Sequence, residues 1–196
     1  MSSLVISGRA FALLIFLLVC GAILASIHRV KNGGTVKLRT IAGYEALKEA
    51  VGRSVEMGSP VHFTAGYYAI GLEIMAGFQS LRHIAGLAAE YDGNLIATTA
   101  KGDTYTMAEG IVKQAYIEAG KPEAYKTEMV RYLSDSQFAF ASGVMGIITR
   151  EQVAANVMMG QFAAESLLFA ETGYAAGAIQ IAGTASIGQL PFFVAT

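Results

Sequence analysis

Residues 154–183, AANVMMGQFAAESLLFAETGYAAGAIQIAG, decide the fold that this chain is expected to adopt. Two short apolar segments, AANVMMGQF (154–162) and GAIQIAG (177–183), lie on either side of a helical stretch at Ala163–Thr172. Their apolar residues are nearly continuous rather than alternating, as in strands that are buried on both faces. The stretch therefore predicts two parallel strands joined by a helix.

The same alternation extends back through the chain to about residue 44. Strands are predicted to begin near positions 60, 94, 129, 155 and 178, at intervals of about 25–35 residues. The intervening helices are predicted at 44–57 and 68–91, from a cap at Asp103 or Thr104 to Gly120, and from a cap among residues 134–136 through Ile148. This order predicts an α/β fold: a Rossmann-like, mostly parallel sheet of about five strands with helices on both faces.

The N-terminal part of the chain contains a long apolar segment. Between Arg9 and His28 lie 18 residues without charge, which as a helix would span about 27 Å, close to the roughly 30 Å of a bilayer core. We expect one N-terminal transmembrane helix. A secretory signal cleaved after Ala25 or Ser26, or a buried core helix, are the alternatives. The predicted organisation is a transmembrane anchor at 1–30, a basic linker at 31–40 and an α/β domain at 41–196.

Charge around this segment predicts its orientation. One cation precedes the segment, and several basic side chains come after it. These are His28, Arg29, Lys31, Lys37 and Arg39. By the positive-inside rule, we expect a single-pass protein of the cell membrane, with its N-terminus outside and its α/β domain cytoplasmic. From Thr40 onward there are 9 basic and 15 acidic residues, a balance of −6, which excludes nucleic acid as an expected partner.

The composition indicates contact with lipid or with other subunits. Hydrophobic residues make up 54% of the chain and charged residues only 15%, against about 25% charged in soluble domains. In the last 46 residues only Glu151, Glu165 and Glu171 are charged. A second membrane span is one interpretation, but glycines interrupt every long apolar run there. We favour a buried sheet centre plus a subunit interface, so the expected partners are the lipid bilayer and a homo-oligomer or other membrane subunits.

Small and hydroxyl residues follow the predicted strands, where open α/β sheets bind ligands. The candidate binding residues are Thr98, Thr99, Ser134, Gly160, Glu165 and Thr184. Helix N-termini at this edge can bind anions, but ordinary helix capping explains the same residues, and we prefer it. Glu165 lies in an apolar setting, so a buried carboxylate there would need a hydrogen-bond partner such as Gln161.

No motif of the sequence predicts catalysis or a metal. His62 lies in a strand and His83 on a helix, without a cysteine or second histidine at ligand spacing, so both are expected to be structural. Met158 and Met159 should face opposite sides of a strand and pack in the core. We expect no catalytic residue, no metal and no cofactor, and therefore no enzyme.

Several segments resemble one known family. They are EAVGRSVEMGSPVHFTAG (49–66), LAAEYDGNLIATTA (87–100), AYIEAGKPEAY (115–125) and the stretch from SDSQFAF to QLPFFVA (134–195). The chain resembles an uncharacterised prokaryotic family of membrane-anchored proteins that carry a domain of unknown function. The resemblance implies an N-terminal anchor and an α/β domain, and it assigns no catalytic residues.

These observations favour a membrane-anchored, non-enzymatic subunit of a homo- or hetero-oligomeric membrane assembly. The alternative is a membrane-tethered domain that binds a small ligand, or senses it, in the crevice at the carboxyl ends of the strands.

Overall fold

The computed structural model describes residues 9–33 and 41–194, in two units that are treated separately. The first unit contains helix α1 (Ala10–Lys31), which has no buried residue and a mean hydropathy of 2.8 over its most apolar window. Within the described residues it is the one helix long and apolar enough to cross a membrane. Most of the predicted basic linker, including Lys37 and Arg39, lies outside the described residues.

The second unit alternates strands and helices. Its elements are α2 (Ala42–Met57), β1 (Val61–Gly66), α3 (Leu72–Glu90), β2 (Leu95–Thr99), α4 (Gly102–Glu118), β3 (Val130–Tyr132), α5 (Gln137–Arg150), β4 (Ala155–Gln161), α6 (Glu165–Ala175), β5 (Ile179–Gly183) and α7 (Leu190–Val194). Single 3-10 turns lie at Pro122–Ala124, Thr127–Met129 and Ile187–Gln189. All five predicted strands are confirmed, each beginning within about one residue of its expected position.

The five strands form one sheet in the order β3-β2-β1-β4-β5, and every neighbouring pair is parallel. This is the doubly wound α/β arrangement, in which the strand order reverses between β1 and β4. Helices α2, α3 and α4 pack on one face, and α5 and α6 on the other. The predicted fold class is therefore confirmed, with an entirely parallel sheet.

Each face of the sheet has its own apolar core. Phe63 and Val157 pack against α2, α3 and α4, whereas Phe140 and Phe169 pack on the face of α5 and α6. Met159 belongs to the first core and Met158 to the second, as expected for adjacent strand residues.

The helix boundaries differ from the prediction in instructive ways. Helix α3 begins at Leu72 rather than Tyr68, because the chain from Gly66 onward first forms a loop over the end of the sheet. Helix α4 begins at Gly102, so Asp103 lies inside its first turn and does not cap it. Its carboxylate accepts the N–H groups of Ile70 (3.4 Å) and Thr104 (2.7 Å) instead.

Because all five strands are parallel, they all end on one side of the sheet and all begin on the opposite side. We call the edge where the strands end the carboxyl edge and the edge where they begin the amino edge. Helices α3, α4, α5 and α6 each follow a strand, so they begin at the carboxyl edge and end at the amino edge. Helix α2 runs the same way, because its last turn leads directly into the first residue of β1. The chain therefore enters this unit at the carboxyl edge.

Candidate functional site

The carboxyl edge is the place where ligands bind in folds of this class. At the point where the strand order reverses, the main chains of β1 and β4 approach closely. A Cβ atom on Gly66 (φ +97°) would lie 1.8 Å from the carbonyl oxygen of Gln161, and one on Gly160 (φ +154°) would lie 2.2 Å from that of Ala65. Only glycine fits at both positions.

A clasp formed by two side chains and one main-chain carbonyl covers the neighbouring part of this edge. The hydroxyl of Tyr67 donates to the carbonyl oxygen of Asp135 (2.7 Å), and Nζ of Lys101 donates to the same oxygen (3.1 Å). The Lys101 ammonium also lies 4.3 Å from the centre of the Tyr67 ring, a cation–π contact. The clasp joins the segments that follow β1, β2 and β3. It also engages the Lys101 ammonium, a cation that could otherwise contact an anionic ligand.

Four helices that begin at this edge carry an acid in their first turn. These acids are Glu45 on α2, Glu73 on α3, Asp103 on α4 and Glu165 on α6. A carboxylate there interacts favourably with the positive end of the helix dipole, and it repels a second anion. The Glu165 carboxylate also accepts the N–H of Ala163 (2.9 Å). This arrangement disfavours phosphate binding at α3, α4 and α6.

The structure places the six candidate residues near this edge but gives most of them other contacts. Thr98 is buried inside the sheet, Gly160 fills the β1–β4 approach, and Ser134 and Thr184 accept N–H groups of Ser136 and Ser186 in their own loops (both 3.1 Å). Thr99, the last residue of β2, is 4% exposed, and its hydroxyl has no partner among residues 41–194. The hydroxyls of Ser134 and Thr184 thus stabilise turns, as the capping interpretation expects.

Glu165 is buried, as its apolar sequence setting suggested. It is the first residue of α6 and only 2% exposed. The amide of Gln137, on α5, donates to it at 2.6 Å. The expected partner Gln161 is wrong, because Glu165 begins the helix and points toward α5 rather than back along β4. The pair links the first turns of α5 and α6.

A row of polar side chains crosses the middle of the sheet. His62 on β1 pairs with Asn156 on β4, which pairs with the half-buried Gln180 on β5. Thr98 on β2 lies on the same face, two residues beyond Ile96, the residue that pairs with His62. Nδ1 of His62 contacts Oδ1 of Asn156 (2.8 Å), and Nε2 of His62 contacts the Thr98 hydroxyl (2.9 Å). The Asn156 amide faces the carbonyl oxygen of Phe169 and Oε1 of Gln180 (both 3.4 Å).

These contacts determine the protonation of His62. Because the Asn156 amide nitrogen is directed at two acceptors, its oxygen must accept from Nδ1–H of His62, and Nε2 then accepts the Thr98 hydroxyl proton. Burial lowers the pKa of His62 to about 4, from an ordinary value of 6.5, since a charged ring would be desolvated there. His62 is therefore neutral near pH 7 and acts as a structural hydrogen-bonding group.

A cavity of about 260 Å³ lies on the other face of the sheet at the carboxyl edge. It is lined from α2, α3, β4 and the end of β5, including Tyr44, Glu73, Gly77, Ser80, Met159 and Thr184. The hydroxyls of Tyr44 and Ser80 bond each other across 2.7 Å. Oε2 of Glu73 is buried without a partner among the residues that the structure describes. The chemistry of this lining suits a small neutral or cationic ligand.

Exposed apolar side chains gather at the same edge. Of the 15 large hydrophobic side chains exposed in residues 41–194, 12 lie at the carboxyl edge and three at the amino edge. The 12 are Ile41, Tyr44, Tyr68, Ile70, Leu72, Met75, Tyr132, Phe138, Ile187, Leu190, Phe192 and Val194, and the three are Met57, Ile117 and Tyr174. An apolar surface assembled in this way indicates an interaction site.

Sequence reasoning did not identify two of these features. The partners of His62 lie 36 and 94 residues away in the sequence, so no local sequence pattern predicts the polar row. Glu73 was not a candidate, although an acid in the otherwise apolar segment AIGLEIMAGF (69–78) is a signal that could have drawn attention to it.

The fold and this edge define a doubly wound α/β protein whose carboxyl edge is apolar and acidic. Among residues 9–33 and 41–194 no three His, Cys, Asp or Glu side chains are grouped so that they could hold a metal. The chain belongs to the family of the domain of unknown function DUF6754, whose sequence model matches residues 1–196. No curated protein and no solved structure matches it.

Proposed function

We propose that this protein is a membrane-anchored, non-enzymatic subunit of an oligomeric membrane assembly, with α1 in the cell membrane and the α/β unit on the cytoplasmic side. The length and apolar surface of α1 support the anchor. The basic residues at its C-terminal end, His28, Arg29 and Lys31, support a cytoplasmic location for the α/β unit.

The observation that carries the assembly role is the edge strand β5, which among residues 41–194 pairs with β4 alone. The N–H of Ile179 donates to the carbonyl oxygen of Ala154, the residue just before β4 (2.9 Å). The direction of the backbone groups alternates along a parallel strand, so the N–H and C=O groups of Gln180 and Ala182 point away from β4. Natural sheets protect such edges with charge, proline or bulges. The strand β5 has no charged residue and no proline, and residues 172–196 contain no charge at all. Such an edge can pair with a strand of another subunit.

The test is the mass of the protein extracted in mild detergent. We expect an oligomer for the wild-type chain and a smaller species for Ala182→Lys, because a lysine on the exposed face of β5 places charge beside the open edge. Ala119→Lys, at the exposed end of α4, is the matched control and should leave the mass unchanged. A monomeric wild-type protein would contradict the proposal.

The second candidate function is a membrane-tethered domain that binds or senses a small ligand. The unpartnered Glu73 oxygen in the 260 Å³ cavity favours it. A thermal-shift screen of small amines and neutral polar molecules tests it, since a ligand at 100 times its Kd stabilises the folded state by about 2.7 kcal/mol. Glu73→Gln should abolish the shift produced by a cationic ligand. If no compound in the screen shifts the transition, this second function is contradicted.

A further inference from the structure

We propose that the α/β unit rests on the bilayer with its carboxyl edge, so that Leu72, Phe138 and Ile187 enter the interfacial region of the membrane. The inference rests on the proposed anchoring by α1. It adds a second membrane contact, made by the folded domain itself, and fixes which side of the sheet faces the lipid.

The first argument is the one-sided distribution of exposed apolar side chains. The most exposed of them are Leu72 (91%), Val194 (84%), Ile187 (82%) and Phe138 (79%). They belong to three segments that are far apart in sequence: the start of α3, the start of α5, and the stretch from the turn after β5 through α7. Burial of apolar surface is the main favourable term for a protein that lies on a membrane. Three separate segments place such surface at the same edge of the sheet.

The second argument is the point at which the chain enters the unit. Ile41 lies at the carboxyl edge, where it lines the same cavity as Gly160 and Gly183. The eight peptide units from Gly33 to Ile41 reach at most about 30 Å. A domain of this size is roughly 40 Å across. A connection of that length keeps the point of entry, and with it the carboxyl edge, within about 30 Å of the end of α1.

The third argument is the kind of side chain at each edge. Tyrosines are enriched where proteins meet the membrane interface, and Tyr67, Tyr68 and Tyr132 all lie at the carboxyl edge. Charge is denser at the amino edge, with 11 charged residues against six at the carboxyl edge. The 11 are Glu56, Glu90, Asp92, Glu118, Lys121, Glu123, Lys126, Glu128, Arg131, Arg150 and Glu151, and the six are Glu45, Glu73, Lys101, Asp103, Asp135 and Glu165. A surface with that density of charge suits water rather than lipid.

A second copy of the chain fits this edge less well than the bilayer does. If two carboxyl edges met face to face, both tethers would start between the two copies. Short tethers starting there could not easily reach one common membrane plane. A strand of another membrane subunit that pairs with β5 runs along the side of the sheet and leaves the carboxyl edge free for lipid. The proposed assembly and the proposed membrane contact therefore use different surfaces.

Single-cysteine labelling of the full chain tests the inference, because Cys20 is the only cysteine. In a Cys20→Ser background, Leu72→Cys and Phe138→Cys report on the carboxyl edge, and Met57→Cys and Ile117→Cys on the amino edge. Each variant is labelled with an environment-sensitive fluorophore and reconstituted into phosphatidylcholine–phosphatidylglycerol vesicles that contain a lipid-bound quencher. All four side chains are exposed, so each substitution should preserve the fold.

We expect quenching at 72 and 138 to be at least two-fold stronger than at 57 and 117. Equal quenching at the two edges would overturn the inference. A blue-shifted signal at 72 and 138 without quenching would also overturn it, because another protein would then cover the edge. The wild-type chain labelled at Cys20 tests the anchoring by α1 separately. Quenching at Cys20 but at none of the four other positions would contradict only the contact of the carboxyl edge with the bilayer. A Cys20 label that is not quenched would contradict the anchoring itself.

Discussion

The carboxyl and amino edges of one sheet differ in almost every physical property. The carboxyl edge is closed by main-chain contacts at Gly66 and Gly160 and is covered outside by apolar side chains. The amino edge is held by ion pairs, such as Lys121 with Asp92 (2.7 Å) and Arg131 with Glu151 (2.9 Å). In a parallel sheet every strand points the same way, so the residues after the strands and the residues before them lie at opposite edges and can differ in character. In this domain the exposed apolar side chains lie mostly where the strands end, and these ion pairs lie where they begin.

Glycine substitutions should give the largest difference between the edges. Gly66→Ala places a methyl group on the Gln161 carbonyl at a backbone angle that alanine avoids, and we expect a loss of about 4 kcal/mol or more in the free energy of unfolding. At the amino edge, Gly58 also has a positive φ (+66°), but nothing lies within 4 Å of its missing Cβ. Gly58→Ala should therefore cost only about 1 kcal/mol.

Urea unfolding in detergent, followed by tyrosine near-ultraviolet circular dichroism, measures both variants. Similar losses at the two positions would show that backbone angle alone decides the cost and that the close approach of β1 and β4 contributes little.

Acid should destabilise the interior that the two edges share. The folded protein keeps His62 neutral down to a pKa of about 4, while the unfolded chain takes up a proton near the ordinary pKa of 6.5. Stability is thus complete above pH 6.5 and falls as the pH drops toward 4, by about 3 kcal/mol in total. Urea midpoints measured between pH 7 and pH 4 test this, and His62→Gln should flatten the profile.

His83→Gln is the control for that profile. His83 is exposed on α3, and its removal should leave the slope of stability against pH between 6.5 and 4 in place. A wild-type protein equally stable at pH 7 and pH 4 would contradict the neutral, buried His62.

Removing one charged residue at each edge should give a smaller contrast. Glu165→Ala leaves the Gln137 amide and the Ala163 N–H without their acceptor in a buried place, which should cost about 1–3 kcal/mol. Lys121→Ala at the amino edge breaks an ion pair that solvent screens, so we expect a loss of about 1 kcal/mol or less. Thermal unfolding of the two variants under one set of conditions decides the order. The reverse order would mean that the ion pairs of the amino edge stabilise the domain more than buried hydrogen bonds do.

Two unpartnered hydroxyls should give the smallest effects. Thr99 lies at the carboxyl edge, and Tyr116 lines a cavity of about 560 Å³ at the amino edge. Neither hydroxyl has a partner among the described residues, and burial, together with Asp92, raises the pKa of Tyr116. Thr99→Val and Tyr116→Phe should each change the free energy of unfolding by no more than about 1 kcal/mol, in the stabilising direction. A marked loss in either variant, measured by urea unfolding, would show that its hydroxyl has an important partner.

Much of the fold follows from the sequence because it depends on local patterns. The continuous apolar runs around Phe63, Ile96 and Val157 required strands buried on both faces, and the 25–35-residue spacing required helices between them. The order β3-β2-β1-β4-β5 could not be obtained in this way, since equally apolar parallel strands have no local feature that selects their neighbours.

The candidate site was predicted less well for the same reason. Thr98 followed the expected pattern of a ligand-binding hydroxyl, but inside the sheet its side chain bonds diagonally to His62 on β1. The apolar edge was missed, although Leu72, Phe138 and Ile187 each follow a predicted strand, which places all three at the carboxyl edge of a parallel sheet. Burial of Glu165 could be anticipated from its flanking residues, whereas its partner on α5 could not.

The polar row through the centre of the sheet also favours the observed strand order and register over alternative ones. Valine, isoleucine and alanine side chains would tolerate exchanged neighbours or a shifted register, because they need only to be buried. The imidazole of His62 finds both an amide oxygen and a hydroxyl only when β1 lies between β2 and β4 in the observed register. Every misassembled sheet would leave several of these groups without partners in a dry interior, at about 1–3 kcal/mol each. Four modest hydrogen bonds thereby give the folding chain a means of rejecting wrong topologies.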